Sequence, residues 1–128
     1  MAFAHPDLIA GLRVVKDSYN VTRLSLAAAV AALEDLPAME ANVACIRATR
    51  SRLTAELGRL EFQVPPSEAN FVLARRPGAD LGRLARALAA RDILVRHFAS
   101  RGLANALRIT VGTDAEIAAL LDALRALA

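Results

Sequence analysis

The spacing of apolar residues changes at Glu61, and that change does most to limit the fold. Before it, apolar residues recur at helical intervals. After it, they come in short alternating runs between turn residues. Leu8, Ile9, Leu12 and Val15 predict a helix over residues 5–17. Pro6 falls in its first turn, where a missing N–H costs nothing. Ser18, Tyr19 and Asn20 predict a turn. Residues 22–60 read as helix with a break near Pro37. The first part is Ala-rich. The second places Met39, Val43, Ile46, Leu53, Leu57 and Leu60 near one stripe and leaves Arg47, Arg50, Arg52 and Arg59 on a solvated face. Ala packs closely but supplies little area per residue, so this helix is expected to lie against other elements along its length.

Beyond Glu61, Phe62 and Val64 predict a short strand ended by Pro65-Pro66. Phe71 to Ala74, Ile93 to Phe98 and Leu107 to Val111 predict three more, with a loop from Ala99 to Ala106 around Gly102. Asp80 can cap a helix over Leu81 to Ala90. Thr113 or Asp114 can cap a last helix carrying Ile117, Leu120, Leu121, Leu124 and Leu127 on one stripe. The expected class is α+β: a small three- to four-stranded sheet with helices packed on one face and a long N-terminal helical region. No repeat, linker or composition shift divides the chain, so residues 1–128 are expected to form a single domain.

Composition narrows the function classes. The chain is 55% apolar and 23% charged, with a mean hydropathy of +0.36. Disordered chains are poorer in apolar residues. Cys45 has no partner within the chain, which excludes a disulfide scaffold and suits the cytoplasm. The longest run of low polarity, Leu24 to Leu33, is ten residues, against ~20 for a membrane span. No basic leader precedes Pro6 and Asp7, so no signal peptide is expected. Every basic residue except Lys16 is arginine.

Most signals of chemistry are missing. There is no Gly-rich phosphate loop. His5 and His97 lie far apart without carboxylates or cysteines at ligand spacing, so no metal site is expected. His5 reads as solvated and His97 as a satisfied, half-buried strand residue. Cys45 reads as a buried, inert thiol. No carboxylate pair suits general acid–base work. Two arginines stand out by position. Arg96 lies inside Ile93-Leu94-Val95-Arg96, and Arg108 inside Leu107-Arg108-Ile109-Thr110-Val111. Alternation puts Leu107, Ile109 and Val111 on one face and Arg108 and Thr110 on the other. If the two strands are neighbours, both guanidiniums can share one side of the sheet. Their rigid donor forks would then make a clamp for carboxylate or phosphate. The plainer alternative is a pair of solvated or ion-paired strand arginines, since charges commonly protect sheet edges.

At these strands the sequence resembles a known family. "LRITVGT" (107–113) resembles the end of class I/II pyridoxal-phosphate aminotransferases, and "ILVRHF" (93–98) the preceding strand in the histidinol-phosphate aminotransferases among them. "SEANFVLAR" (67–75) resembles their small-domain strand, and "AHPDLIAGLRVVKDSYNV" (4–21) the segment after their cofactor lysine. The pieces fall in the family's order and cover essentially the whole chain. The resemblance implies the C-terminal, small-domain portion of such an enzyme, with the large cofactor-binding domain absent. It implies that Arg108 grips the acidic group of the substrate and that Arg96 helps hold a phosphate. Asp92 stands where this subfamily commonly has glycine; Asp tolerates left-handed geometry better than most residues.

The family reaction moves an amino group between glutamate and imidazole-acetol phosphate, in histidine biosynthesis. It needs a lysine that forms a Schiff base with pyridoxal phosphate. Lys16 does not match that lysine: in "KDSYN" the resembling lysine belongs to an ordinary helix. The chain alone is therefore expected to hold no pyridoxal phosphate, to contribute no catalytic residue and to be inactive. Its expected partners are a small acidic or phosphorylated amino-acid substrate and a second copy of itself, with neither nucleic acid nor membrane. The first helix and the Ala-rich stretch are the faces expected to self-associate. A non-catalytic module that pairs with itself or complements a large domain is the alternative, and a basic nucleic-acid-binding domain a weaker one. The latter lacks interleaved aromatics and any recognition motif.

Overall fold

The computed structural model describes residues 3–18, 20–100 and 102–127. Tyr19, in the first predicted turn, and Arg101, in the predicted 99–106 loop, lie outside them. The chain forms two compact units, Met1–Met39 and Glu40–Ala128.

The first unit carries two short helices. In α1 (Pro6–Val15), His5 is the N-cap and its ring accepts from the Asp7 N–H, leaving Pro6 in the first turn as anticipated. In α2 (Arg23–Glu34), the Thr22 hydroxyl accepts from the Ser25 N–H at 3.1 Å. Neither helix contains a buried residue. The predicted break falls at Asp35, and α3 (Leu36–Arg59) starts with Pro37 in its first turn.

The second unit holds the core. Strands β1 (Phe71–Arg75), β2 (Arg96–His97) and β3 (Ala106–Thr110) form an antiparallel sheet in the order β1-β3-β2. In β1 and β3, Val72 pairs with Ile109 and Ala74 with Leu107. All four are buried and share a cluster with Leu53 and Leu57 of α3, Leu81 and Leu88 of α4 (Leu81–Ala89), and Ile117, Leu120, Leu121 and Leu124 of α5 (Asp114–Leu127). The helices thus cover one face of the sheet. The other face carries Phe71, Leu73, Arg108, Thr110 and Arg96.

Three expectations are corrected. Phe62 and Val64 form no strand; one bridge, Gln63 to Arg75, is what remains, because Phe62 turns into the core and Pro65 lacks the N–H to extend the ladder. The strand expected over Ile93–Phe98 shrinks to Arg96–His97, with Leu94 exposed. The long helix is covered along only part of its length: Thr49, Leu53 and Leu57 are buried, whereas Val43 is exposed.

Helix ends explain two unusual backbones. Glu61 (φ 63°) and Asp92 (φ 60°) are left-handed. Each closes a helix by the same pattern, in which the following N–H reaches back five residues: Phe62 to Leu57 at 3.0 Å and Ile93 to Leu88 at 3.1 Å. Asp92 therefore occupies a turn that suits glycine. At the start of α5, Thr113 N–H and Oγ1 both donate to Glu116, and Glu116 N–H returns a bond to Thr113 Oγ1. These bonds hold the Glu116 carboxyl below its ordinary range. Gly112 makes the closure possible, because a Cβ there would stand 2.6 Å from Glu116 Oε2.

Candidate anion-binding face

The sheet register brings the two singled-out arginines together. Arg96 pairs directly with Arg108 across β2 and β3. Directly opposed residues point to the same side of an antiparallel pair, so both guanidiniums lie on the face away from the helices. Both residues are exposed. Among the described residues, no carboxylate pairs with either. Like charges opposed in this way destabilise a sheet unless something neutralises them. An anion lying between the forks would do so.

Two aromatic rings frame the pair. The guanidinium carbon of Arg108 stands 5.5 Å from the centre of the Phe71 ring. That of Arg96 stands 5.6 Å from the Phe98 ring. Phe71 pairs with Thr110, two residues from Arg108 on the same face. Phe98 follows Arg96 by two residues. The rings were not singled out from sequence, although the two-residue spacing from Arg96 to Phe98 was a usable signal.

The other candidates separate from this face. His97 is half-buried, with Nε2 2.9 Å from the Ala104 carbonyl and its ring against Gly82. It is satisfied, as read. His5 is an exposed helix cap. Cys45 is exposed, not buried: it lies on α3 before the stretch that meets the core. Among the described residues, no cluster of three metal-ligating side chains occurs, and no helix is long and apolar enough to cross a membrane.

The helix arginines are only partly a solvated face. The Arg50 side chain is 11% exposed; it donates to the Ala69 carbonyl at 2.7 Å and to Glu68 at 2.8 Å. Arg52 pairs with Asp114 at 2.7 Å, beside the Thr49 hydroxyl that donates to the same oxygen. Arg59 pairs with Glu56. Their partners lie up to 62 residues away, beyond the reach of a pattern read along one helix. Arg50, Arg52 and Arg59 are occupied, whereas exposed Arg47, like Arg96 and Arg108, pairs with no carboxylate among the described residues. What sets Arg96 and Arg108 apart is that they stand directly opposite each other on one face of the sheet.

Lys16 sits just past α1 as its C-cap, with extended backbone, rather than within the helix. It is exposed and its Nζ donates to the Asp17 carbonyl at 2.7 Å. Cavities of about 630 and 620 Å³ flank α5 and the β3–α5 turn. Neither is lined by Lys16, Arg96 or Arg108.

Comparison with known proteins fits this geometry. The family model for aminotransferase class I and II matches residues 1–124. A histidinol-phosphate aminotransferase of Aromatoleum aromaticum is 49% identical over 127 residues, which is 97% of this chain and 36% of that protein. The chain thus spans about a third of the length of the curated relatives it matches. Among solved structures, the histidinol-phosphate aminotransferase of Clostridium acetobutylicum matches with a TM-score of 0.85 and 25% identity, over 94% of this chain and 37% of that one. The Sinorhizobium meliloti enzyme, solved in complex with pyridoxal-5'-phosphate, matches with a TM-score of 0.77 and 27% identity, over 96% and 35%.

Proposed function

The chain belongs to the class I and II aminotransferases, and from that premise we propose that it is the C-terminal, small-domain portion of a histidinol-phosphate aminotransferase and supplies the substrate-anion clamp. On this reading the complete enzyme moves an amino group between glutamate and imidazole-acetol phosphate in the cytoplasm, as a step of histidine biosynthesis. Arg108 takes the acidic group of the substrate and Arg96 helps with the phosphate. The observation that carries the reading is the direct pairing of Arg96 with Arg108 on the uncovered face, without a carboxylate among the described residues. A guanidinium fork matches carboxylate and phosphate oxygens with two parallel bonds, and two forks side by side can share the several oxygens of one phosphate or grip a carboxylate.

The family's chemistry needs pyridoxal phosphate held as a Schiff base on a lysine. Lys16, the only lysine in the sequence, does not fit that task. It is exposed, satisfied by a neighbouring carbonyl and outside both cavities. No step of the transfer is assigned to it, and these 128 residues alone are read as inactive. The Schiff-base lysine and the groups that hold the cofactor belong, on this reading, to the rest of the family fold. The exposed apolar residues of α1 and α2 support self-association of the isolated chain.

Titrating the ¹⁵N-labelled chain with histidinol phosphate tests the clamp. Shifts centred on the Arg96 and Arg108 guanidiniums are expected; shifts elsewhere, or none, contradict it. Borohydride reduction with pyridoxal phosphate, followed by intact-mass measurement, tests the role of Lys16. A stoichiometric adduct that a Lys16→Arg variant abolishes would overturn that part.

A further inference from the structure

We infer that Phe71 and Phe98 are positioning residues, each holding one guanidinium of the pair in place while leaving its donors free. The inference rests on the clamp reading above and deepens it. The chain has four phenylalanines, and three of them lie under an arginine: Phe62 under Arg76, Phe71 under Arg108 and Phe98 under Arg96. The first pair is an internal comparison. Arg76 is also bound by Glu61 at 2.7 Å, so part of its fork is used. Arg108 and Arg96 have the ring and, among the described residues, no carboxylate.

The physical difference matters. A carboxylate holds a guanidinium through the N–H groups in its plane, the same groups an anionic ligand would need. A ring holds it through the π face and consumes no donor. A side chain with many rotamers is thereby ordered before the ligand arrives, and the ordering cost does not fall on binding. The same reasoning explains why Phe71, 37% exposed, stands on the uncovered face of the sheet, where an apolar ring gains little from burial.

Side-chain ¹⁵N relaxation of the full chain without ligand tests this directly. The Nε–H groups of Arg108 and Arg96 are expected to be more ordered than that of Arg47, which is exposed and pairs with no carboxylate among the described residues. Phe71→Leu should release Arg108 alone, and Phe98→Leu Arg96 alone; Phe71→Tyr and Phe98→Tyr should keep the order. Inorganic phosphate serves as the binding probe, and its affinity should fall about two- to fivefold in each Leu variant and recover with Tyr. Pentafluorophenylalanine at position 71 keeps the shape but reverses the charge of the ring face. It should release Arg108 as Leu does, and it remains informative if Phe71→Leu does not fold. Wild-type arginines as mobile as Arg47, or Leu and pentafluoro variants that leave them ordered, would overturn the inference. Ordered arginines that ignore phosphate would leave it standing and refute the clamp instead.

Discussion

Residues 1–39 and 40–128 have similar local signals and opposite fates. Both units carry capped helices with apolar stripes: Thr22 caps α2 and Asp80 caps α4. Yet no residue of α1 or α2 is buried, whereas every helix of the second unit contributes to a single core. Leu24 is 82% exposed and Leu53 fully buried. Capping and propensity decide where a helix forms; what covers it decides how much it stabilises. Matched relatives are almost three times as long, and on the proposed reading the rest of such a chain is what covers these helices.

Truncation at matched positions gives the largest contrast. In chain diluted until it is monomeric, Leu53→Ala and Leu107→Ala should each cost about 2–5 kcal/mol in denaturant unfolding, and Leu24→Ala should stay within about 0.5 kcal/mol. A large loss at Leu24 would mean that α2 is covered in solution, and a concentration-dependent loss would identify the cover as a second copy. Hydrogen exchange ranks the units without mutation. Amides of Leu107 and Ile109 should exchange only through global unfolding, and those of α1 and α2 orders of magnitude faster. Equal protection would erase the distinction.

Smaller effects probe the second unit alone. Asp92→Gly should stabilise it by about 0.5–1 kcal/mol, because glycine removes the left-handed strain at a modest entropic cost; a loss would show that the Asp92 side chain has a role of its own. Acid should act on the same unit. The Arg83 N–H on Asp80, and Thr113 on Glu116, hold both carboxyls below their ordinary values. A depressed folded value stabilises above the unfolded value and is lost as pH falls through the folded one. Melting temperature should therefore decline below about pH 4, and less so in Asp80→Asn with Glu116→Gln.

The period change at Glu61 made the α+β class legible, and alternation placed Arg108 opposite the core-facing Leu107 and Ile109. The left-handed turn at Asp92 was also readable, because the resemblance supplied the expectation of glycine. What stayed hidden depends on contacts between distant residues. Arg50 looked solvated because its partners, Glu68 and Ala69, lie beyond the helix. Cys45 read as buried because free cysteines usually are, and nothing along the helix marks where the core stops covering α3. The Phe62 strand failed because that ring is worth more inside the core than in a ladder. The rings under Arg96 and Arg108 escaped notice because one of them reaches its arginine diagonally across strands.

On the proposed reading, Arg96 and Arg108 act together as a specific clamp and not as general positive charge. Two double variants with the same loss of charge separate these ideas in a calorimetric titration with histidinol phosphate. Arg96→Gln/Arg108→Gln should weaken binding by about 100-fold or more, at about 1.5–3 kcal/mol for each charge-assisted bond lost. Arg13→Gln/Arg47→Gln, in exposed helix positions, should leave it within about twofold. Equal weakening in the two variants, or undiminished binding in the first, would show that these arginines form no specific clamp.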